Sequence, residues 1–498
     1  MLLYRSAALV FGLALSLQAW PALSAQTNVI FRYDAARGAM RTANGRYIPL
    51  TGLVAGMLDR RHSQGFAFAQ PLNAVSGIVG PFSANEPAIA SDPTSAKHLI
   101  GSANDYRLGE DTDGGLYATF NGGSSWRDNV VQYVVSGPLY YDADGDPAVG
   151  VDKLGDDFYS SLAFNRSGPS GGSPASAAIV ARSHPNVSDA FVDATPVRVN
   201  AAIDQYFDDK DALAVDDGTA GSFRNSVYST FTLFGPNTSP IMEAYSRDHG
   251  VSFSSIVVAS APGGTKLCPG GTTAGACADD SGSSVGVGAA GAVWVAYENF
   301  DSSGSNQILI SKSTNGGAAF GPPSKVADDH DIANPFKTFR VNSFPNLAAA
   351  AGGRLYVVWA DAGAGFPQIL IATSSNGTSW TAPKVVATDA GANFHFFPAV
   401  AVQQTTGDVY VSWYSNGHHA GQDIYDYFYR KFSAALSPLT GETAVSAATP
   451  ISPCPTGVEF GCSFFGDYTG MAANSAGGYP IWTDTRTGQE EIESKPVP

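Results

Sequence analysis

The chain has 498 residues and a net charge of −16, from 44 acidic against 28 basic side chains. That balance excludes a nucleic-acid binder, which needs clustered Lys and Arg to displace counterions from phosphates. Only 14 % of residues are charged, whereas 55 are glycine and 30 are proline; this excludes a protein of long surface helices and points to many short strands joined by turns.

The chain opens with MLLYRSAALVFGLALSLQAWPALSAQ. Arg5, the apolar run from Ala7 to Leu17 and Leu23-Ser24-Ala25 predict a secretory signal over residues 1–25, cleaved near Ala25, with a secreted or periplasmic mature protein. The apolar run is short for a bilayer span, and no other segment is a candidate, so no membrane span is expected after cleavage. Residues 26–84 carry the weakest pattern. Export permits disulfides. The four cysteines fall into two close pairs around Gly/Pro-containing loops, which predicts bridges Cys268–Cys277 and Cys454–Cys462. A zinc site is the competing reading, but it lacks Cys-x-x-Cys spacing and neighbouring histidines.

Four phrases recur along the chain: ATFNGGSSW at 118, YSRDHGVSF at 245, KSTNGGAAF at 312 and ATSSNGTSW at 372. The alignment pairs Thr119, Asn121, Gly123 and Trp126 with Ser246, Asp248, Gly250 and Phe253. It pairs the same positions with Ser313, Asn315, Gly317 and Phe320, and with Thr373, Ser375, Gly377 and Trp380. The short polar side chain accepts backbone N–H bonds inside a turn, glycine supplies positive φ, and the aromatic ring pins the hairpin to the strands below. The pattern resembles the Asp-box, or BNR repeat, of the sialidase superfamily. The resemblance implies a β-propeller in which these turns join the outer strands of blades, away from the active face.

Strand pairs of longer period agree with that implication. Inner strands are predicted at NEPAIASD (85), DGDPAVGVD (144), DKDALAVDD (209), GSSVGVGAAG (282), SFPNLAAAAGG (343), FFPAVAVQQTTG (396) and GDYTGMAANSAGG (466). LYVVWAD, VWVAYEN, VYVSWYS and YPIWTD read as second strands, alternating and rich in aromatic and β-branched residues. The expected fold is all-β, a propeller over 85–498 with seven blades rather than six. The last unit lacks one strand, so the segment 26–84 is expected to supply the strand that closes the ring.

Loops entering the inner strands and leaving the second strands share one face of a propeller. The first set carries Glu86, Asp146, Asp209, Asp211, Asp280, Arg340, His395, Asp467 and Tyr468. The second carries Asn104, Asp105, Arg107, Glu298, Asp361, His418, His419, Asp484 and Arg486. Glu86, Asp146, Asp211, Asp467 and Tyr468 are the candidate catalytic residues, because crowded carboxyls raise one another's pKa and can serve as acid and base. Arg107, Arg340, Arg486, His395 and Asp105 are the candidate substrate-binding residues, and Tyr106, Tyr468 and Phe394 could stack on sugar faces. In YYDADGDP, Asp142, Asp144 and Asp146 alternate as hard-cation ligands do, which makes calcium the candidate metal. The adjacent His418 and His419 would point to opposite faces if they lay on a strand.

The last unit, FGDYTGMAANSAGGYPIWTDTRTG, is similar to secreted bacterial BNR-repeat proteins. True sialidases hold a substrate carboxylate with three arginines, use a Tyr activated by a Glu as nucleophile, and use an Asp as acid/base. The first arginine normally lies in Phe/Tyr-Arg-Ile-Pro. Here GRYIPL places Arg46 one position early, with a tyrosine inserted. The resemblance implies a glycoside hydrolase acting on extracellular glycans, with Arg107, Arg340 and Arg486 as an arginine set and Tyr468 near the nucleophile. The alternatives are a non-catalytic propeller that binds glycan or protein, and a polysaccharide lyase.

Overall fold

The computed structural model describes most of the chain from residue 78 onward, with the backbone of short strands between 31 and 49. The signal segment, Arg46, Arg107, Asp142, Cys454 and Cys462 lie outside the described residues. The described chain is all-β, a ring of seven antiparallel blades. Its helical elements are two three-residue turns, Ala289–Gly291 and Gly417–His419. Among the described residues no helix is long and apolar enough to cross a membrane.

Each blade runs outward from an inner strand at the channel. The inner strands are Ala84–Ser91 in blade 1, Ala143–Val151 in blade 2, Phe207–Val215 in blade 3 and Asp280–Val287 in blade 4. Blades 5 to 7 follow with Asn346–Ala349, His395–Val402 and Gly470–Asn474. Blade 2 has a fifth strand, Val134–Val135, which pairs in parallel with Phe191–Asn200. Blade 7 holds only three strands from its own stretch of chain. Its outer edge is completed by Ile78–Gly80, which pairs antiparallel with Glu491–Ser494. The closure gives the last blade its fourth strand and joins the two ends of the ring.

The second strands lie between neighbours on both sides and are buried along nearly all of their length. Leu355–Asp361 and Val409–Ser415 show no exposed residue along their length. Their aromatic residues fill the spaces between blades, and Trp359, Trp413 and Trp482 are among the largest fully buried side chains. Burying each such ring contributes on the order of 2–3 kcal/mol. Between blades 5, 6 and 7 the filling is rich in aromatic rings: Phe396 stacks on Phe394 and Tyr414, each at 4.9 Å.

The four recurrent turns share one construction. Thr119, Ser246 and Ser313 donate their hydroxyls to Asn121, Asp248 and Asn315 at 2.8–2.9 Å. Each hydroxyl also accepts the N–H of the glycine four residues on. The closing ring packs inward, fully buried at Trp126 and half-buried at Phe253, Phe320 and Trp380. The fourth turn departs from the sequence alignment by one residue: Ser374 and Asn376, not Thr373 and Ser375, make these bonds. Thr373 is unavailable because its hydroxyl donates to the Leu355 carbonyl oxygen on the next strand, at 2.8 Å.

The Cys268–Cys277 bridge is present and buried. The adjacent histidines lie in the turn Gly417–His419, not on a strand, and both face one carboxylate: His418 Nδ1 is 2.8 Å and His419 Nε2 3.5 Å from Asp426 Oδ2.

Gly377 tests the turn construction. Its φ is 74°, and a Cβ there would overlap the ring of Trp294. Gly155 has φ 86° but nothing within 4 Å of such a Cβ. Gly155→Ala should therefore cost about 1 kcal/mol in urea unfolding, the backbone effect alone, and Gly377→Ala about 2 kcal/mol or more.

Candidate active site

The inner strands begin with a shared irregularity. In blades 1, 2, 3, 4 and 6 the ladder to the second strand slips between Asn85 and Ala88, Gly145 and Ala148, Asp209 and Ala212, Ser281 and Ser284, and Phe396 and Ala399. One residue in each slip has positive φ: Glu86 at 57°, Asp146 at 52°, Lys210 at 51°, Gly282 at 63° and Phe397 at 48°. These are β-bulges, which re-aim a side chain out of the sheet. Phe344 and Tyr468 hold the equivalent sequence positions in blades 5 and 7, just before their inner strands. Lys210, Phe344, Phe397 and Tyr468 line a small cavity of about 60 Å³. The Lys210 ammonium lies 3.6 Å over the Tyr468 ring, a cation–π contact.

Beside this cavity is a cleft of about 410 Å³. Glu86, Asp146 and Asp209 line it together with Arg340, Asn104 and Tyr106; Phe164, Phe207 and Phe464 add apolar walls. Asp146 is the hub. It shares side-chain hydrogen bonds with both Glu86 and Asp209. Its Oδ2 accepts the Lys210 backbone N–H at 2.9 Å, and its own N–H donates to Asn104 Oδ1 at 2.8 Å. Asn104 Nδ2 in turn donates to Glu86 Oε2 at 2.7 Å. Burial, then the charge of Asp146, pushes the Glu86 carboxyl well above its ordinary pKa. The same two causes act on Asp209. Asp146 is thus flanked by two carboxyls that favour the protonated form.

Arg340 enters from the connection between blades 4 and 5. Its Nε donates to Asp467 Oδ1 at 2.8 Å, its Nη2 to Asp467 Oδ2, and its guanidinium lies 4.6 Å over Phe464. Burial raises the Asp467 pKa in spite of this pairing. The Arg340 side chain is 63 % exposed, so it can still meet a ligand in the cleft.

Other predicted residues lie elsewhere. Asp211 is fully buried beneath the cleft floor, accepts the Ser229 hydroxyl at 3.4 Å, and has its pKa raised by burial. The Tyr468 hydroxyl is buried, and burial pushes its pKa well up, opposing a phenolate nucleophile. Arg486 is held within blade 7 by Asp484, at 2.7 Å, and Glu493. His395 is buried in blade 6, with Nε2 3.2 Å from Asp389. Asp105 is buried in blade 1, and Phe394 in the aromatic filling. Asp144 accepts the hydroxyls of Tyr159 (3.2 Å) and Ser161 (3.3 Å) within blade 2, while Asp146 faces the cleft, so these two alternate aspartates do not converge.

Sequence reasoning did not single out Phe164, Phe207, Phe464, Lys210, Asn85 or Glu490. Asn85 Nδ2 donates to Glu490 Oε2 at 2.9 Å, and Asn85 Oδ1 accepts from Asn104 (3.2 Å) and Tyr106 (3.3 Å). This chain of bonds carries the blade 7 to blade 1 junction into the cleft. The signal available in sequence was the alignment of the bulges, which places Asp209 level with Asn85, Gly145 and Asp467.

No protein-family model and no curated protein matches the chain. Among solved structures it is similar to a protein of unknown function from Dyadobacter fermentans, at 14 % identity over 68 % of this chain and 93 % of that one, TM-score 0.44. It is similar to an ulvan lyase bound to a glucuronate–sulfated rhamnose unit, at 11 % identity over 84 % and 95 %, TM-score 0.47. A Hadza microbial sialidase aligns at 12 % identity over 83 % and 66 %, TM-score 0.39.

Glu490 gives a test of the electrostatics. Burial pushes its pKa to about 8, above the ordinary 4.5. The folded state therefore holds a proton that the unfolded state releases, and stability falls as pH rises from 4.5 to 8, by up to about 1.4 kcal/mol per pH unit for this group. Glu490→Gln keeps an acceptor for Asn85 and removes the titration. Urea unfolding at pH 5, 6.5 and 8 should show a shallower decline in the variant.

Proposed function

We propose that the chain is a secreted carbohydrate-active enzyme, a glycoside hydrolase of sialidase-like architecture that cleaves extracellular glycans in the cleft. On this reading the four recurrent turns are Asp-boxes, and residues 1–25 are the export signal. One observation carries the proposal: a buried Glu86 carboxyl that favours its proton shares a hydrogen bond with Asp146 at the wall of an open, aromatic-lined cleft. Glycoside hydrolysis needs such a division between a carboxylic acid and a carboxylate.

Glu86 donates its proton to the glycosidic oxygen as the bond to the anomeric carbon breaks. Asp146, hydrogen-bonded to Glu86 and so closer to it than the roughly 5–10 Å that separates an acid from a nucleophile or base, acts by its charge, holding the Glu86 proton and stabilising the oxocarbenium-like centre that water then attacks. Asn104, bonded to both residues, fixes their relative orientation. Phe164, Phe207 and Phe464 offer ring faces for the sugar. Arg340 provides one cationic contact for an acidic substituent. It is the only arginine among the described residues that lines the cleft, one cationic contact where true sialidases use three.

The test incubates the mature protein with sialosides and with plant and bacterial polysaccharides, reading reducing ends and unsaturated uronates separately. The expected result is release of reducing ends without unsaturation, reduced roughly 10²- to 10⁴-fold in Glu86→Gln and Asp146→Asn. The rate should fall as pH rises through the elevated Glu86 pKa, because the donor must hold its proton. Unsaturated products would make the protein a lyase. Glycan binding with no product from any substrate would make it a binding propeller.

A further inference from the structure

At the outer corner of blade 4, three carboxylates from separate pieces of chain approach one another. Glu298 lies near the end of strand Val293–Phe300, Asp329 ends strand Ser324–Asp329, and Asp331 follows in the connection to blade 5. One oxygen from each lies within 4.8 Å of the others. Two oxygens on opposite sides of a calcium ion, at roughly 2.3–2.6 Å each, would stand about as far apart. Glu298 and Asp329 are only 2 % and 4 % exposed.

The decisive observation is Asp329. Both of its carboxylate oxygens are buried, and they meet only another carboxyl of the group, Glu298, and the His330 N–H, which already donates to Asp361 Oδ2 at 3.0 Å. A buried carboxylate so poorly partnered is costly, and native structures rarely leave one so. Among the described residues no Lys, Arg or His bridges to the group. His330, the nearest in sequence, turns instead to Asp361 at 3.1 Å. The contrast is the corresponding group Asp152, Asp156 and His249, where the protein supplies its own partner: His249 Nε2 meets Asp152 and Nδ1 lies 3.4 Å from Asp156. Asn306 adds a fourth polar side chain, its amide nitrogen 2.7 Å from Asp331 Oδ1 and 3.3 Å from Glu298 Oε1. A turn of that amide would exchange these donors for an oxygen ligand.

We propose that Glu298, Asp329 and Asp331 hold a calcium ion that braces the connection between blades 4 and 5. An all-oxygen, triply acidic set without His or Cys selects a hard cation over zinc. Calcium suits ligands drawn from two strands and a loop better than magnesium, which demands near-ideal octahedral geometry and retains water. The brace has a definite consequence. Asp331 begins the segment whose far end lays Arg340 on Asp467, with Asn342 Nδ2 2.9 Å from the Asp467 carbonyl oxygen. Within it, the Ile332 N–H donates to the Ser343 hydroxyl at 3.3 Å, tying the two ends together. An ion at Asp329 and Asp331 fixes the near end of the segment that delivers Arg340 to the cleft. The inference does not depend on the reaction proposed for that cleft.

The experiment is calcium titration of the metal-stripped mature protein by calorimetry, with thermal unfolding and hydrogen exchange in calcium and in chelator. Wild type should bind calcium, gain several degrees in Tm and gain protection over residues 329–343. Asp329→Asn and the exposed Asp331→Asn should each weaken binding roughly tenfold or more, whereas Asp146→Asn should leave it intact. Asp331→Asn keeps the test decisive should the buried variant fold poorly. Absence of calcium-dependent stabilisation in wild type would overturn the proposal. So would affinity unchanged in Asp331→Asn, loss confined to Asp146→Asn, or displacement of calcium by an equal concentration of zinc.

Discussion

Where an inner strand enters the sheet, one residue steps out of the ladder with positive φ, and its side chain swings toward the mouth of the channel. This happens at Glu86, Asp146, Lys210 and Phe397, and at Gly282 the backbone alone makes the step. Four of the five are not glycine, so each holds a backbone conformation that costs on the order of 1 kcal/mol. A regular strand would have left these side chains between blades or along the channel wall. The bulges bring Glu86 and Asp146 to the cleft, and Asp209, the residue before the Lys210 bulge, joins them there from the next blade. The opposite side of the ring spends the same position on Phe344 and Phe397, so the face is polar on one side and apolar on the other.

Gathering carboxyls around one cleft raises the pKa values of Glu86, Asp209 and Asp467. Glu86, Asp146, Asp209 and Asp467 lie close together with Arg340 and Lys210 as the local cations, and Arg340 is committed to Asp467. Burial disfavours charge, and a carboxylate beside a carboxylate disfavours it further. The arrangement is relieved where neutral donors reach the acids: Asn104 to Glu86, and the Lys210 N–H to Asp146. Asn104 is itself held by Asn85, and Asn85 by Glu490 across the ring closure. The strand borrowed by blade 7 and the orientation of the acids are therefore parts of one bonded system.

Much of this was legible in sequence. The seven inner-strand phrases and the glycine-to-aromatic spacing of the turns follow local rules of turn chemistry and strand alternation, and those rules survive folding because hairpins are local. Glu86, Asp146, Arg340 and Asp467 were legible as residues of one face. What the sequence did not separate was cleft from interior. Asp209 and Asp211 are two residues apart, yet the bulge at Lys210 sends Asp209 to the cleft and buries Asp211. Arg486 reads as a free cation at a blade exit, but Glu493 on the adjacent strand claims it together with Asp484. The Phe164 and Phe207 walls come from strand ends in adjacent blades, and their meeting at 6.0 Å is a matter of ring curvature that no linear spacing records.

The central claim is that burial beside Asp146 makes Glu86 hold its proton to higher pH than an ordinary glutamate does. Infrared difference spectroscopy between wild type and Glu86→Gln, followed through a pH titration in the absence of ligand, reads this directly. The account predicts a protonated carboxylic-acid carbonyl band in wild type that the variant lacks and that persists well above pH 4.5. An acid band that titrates away near pH 4.5, as an ordinary glutamate's would, would contradict it.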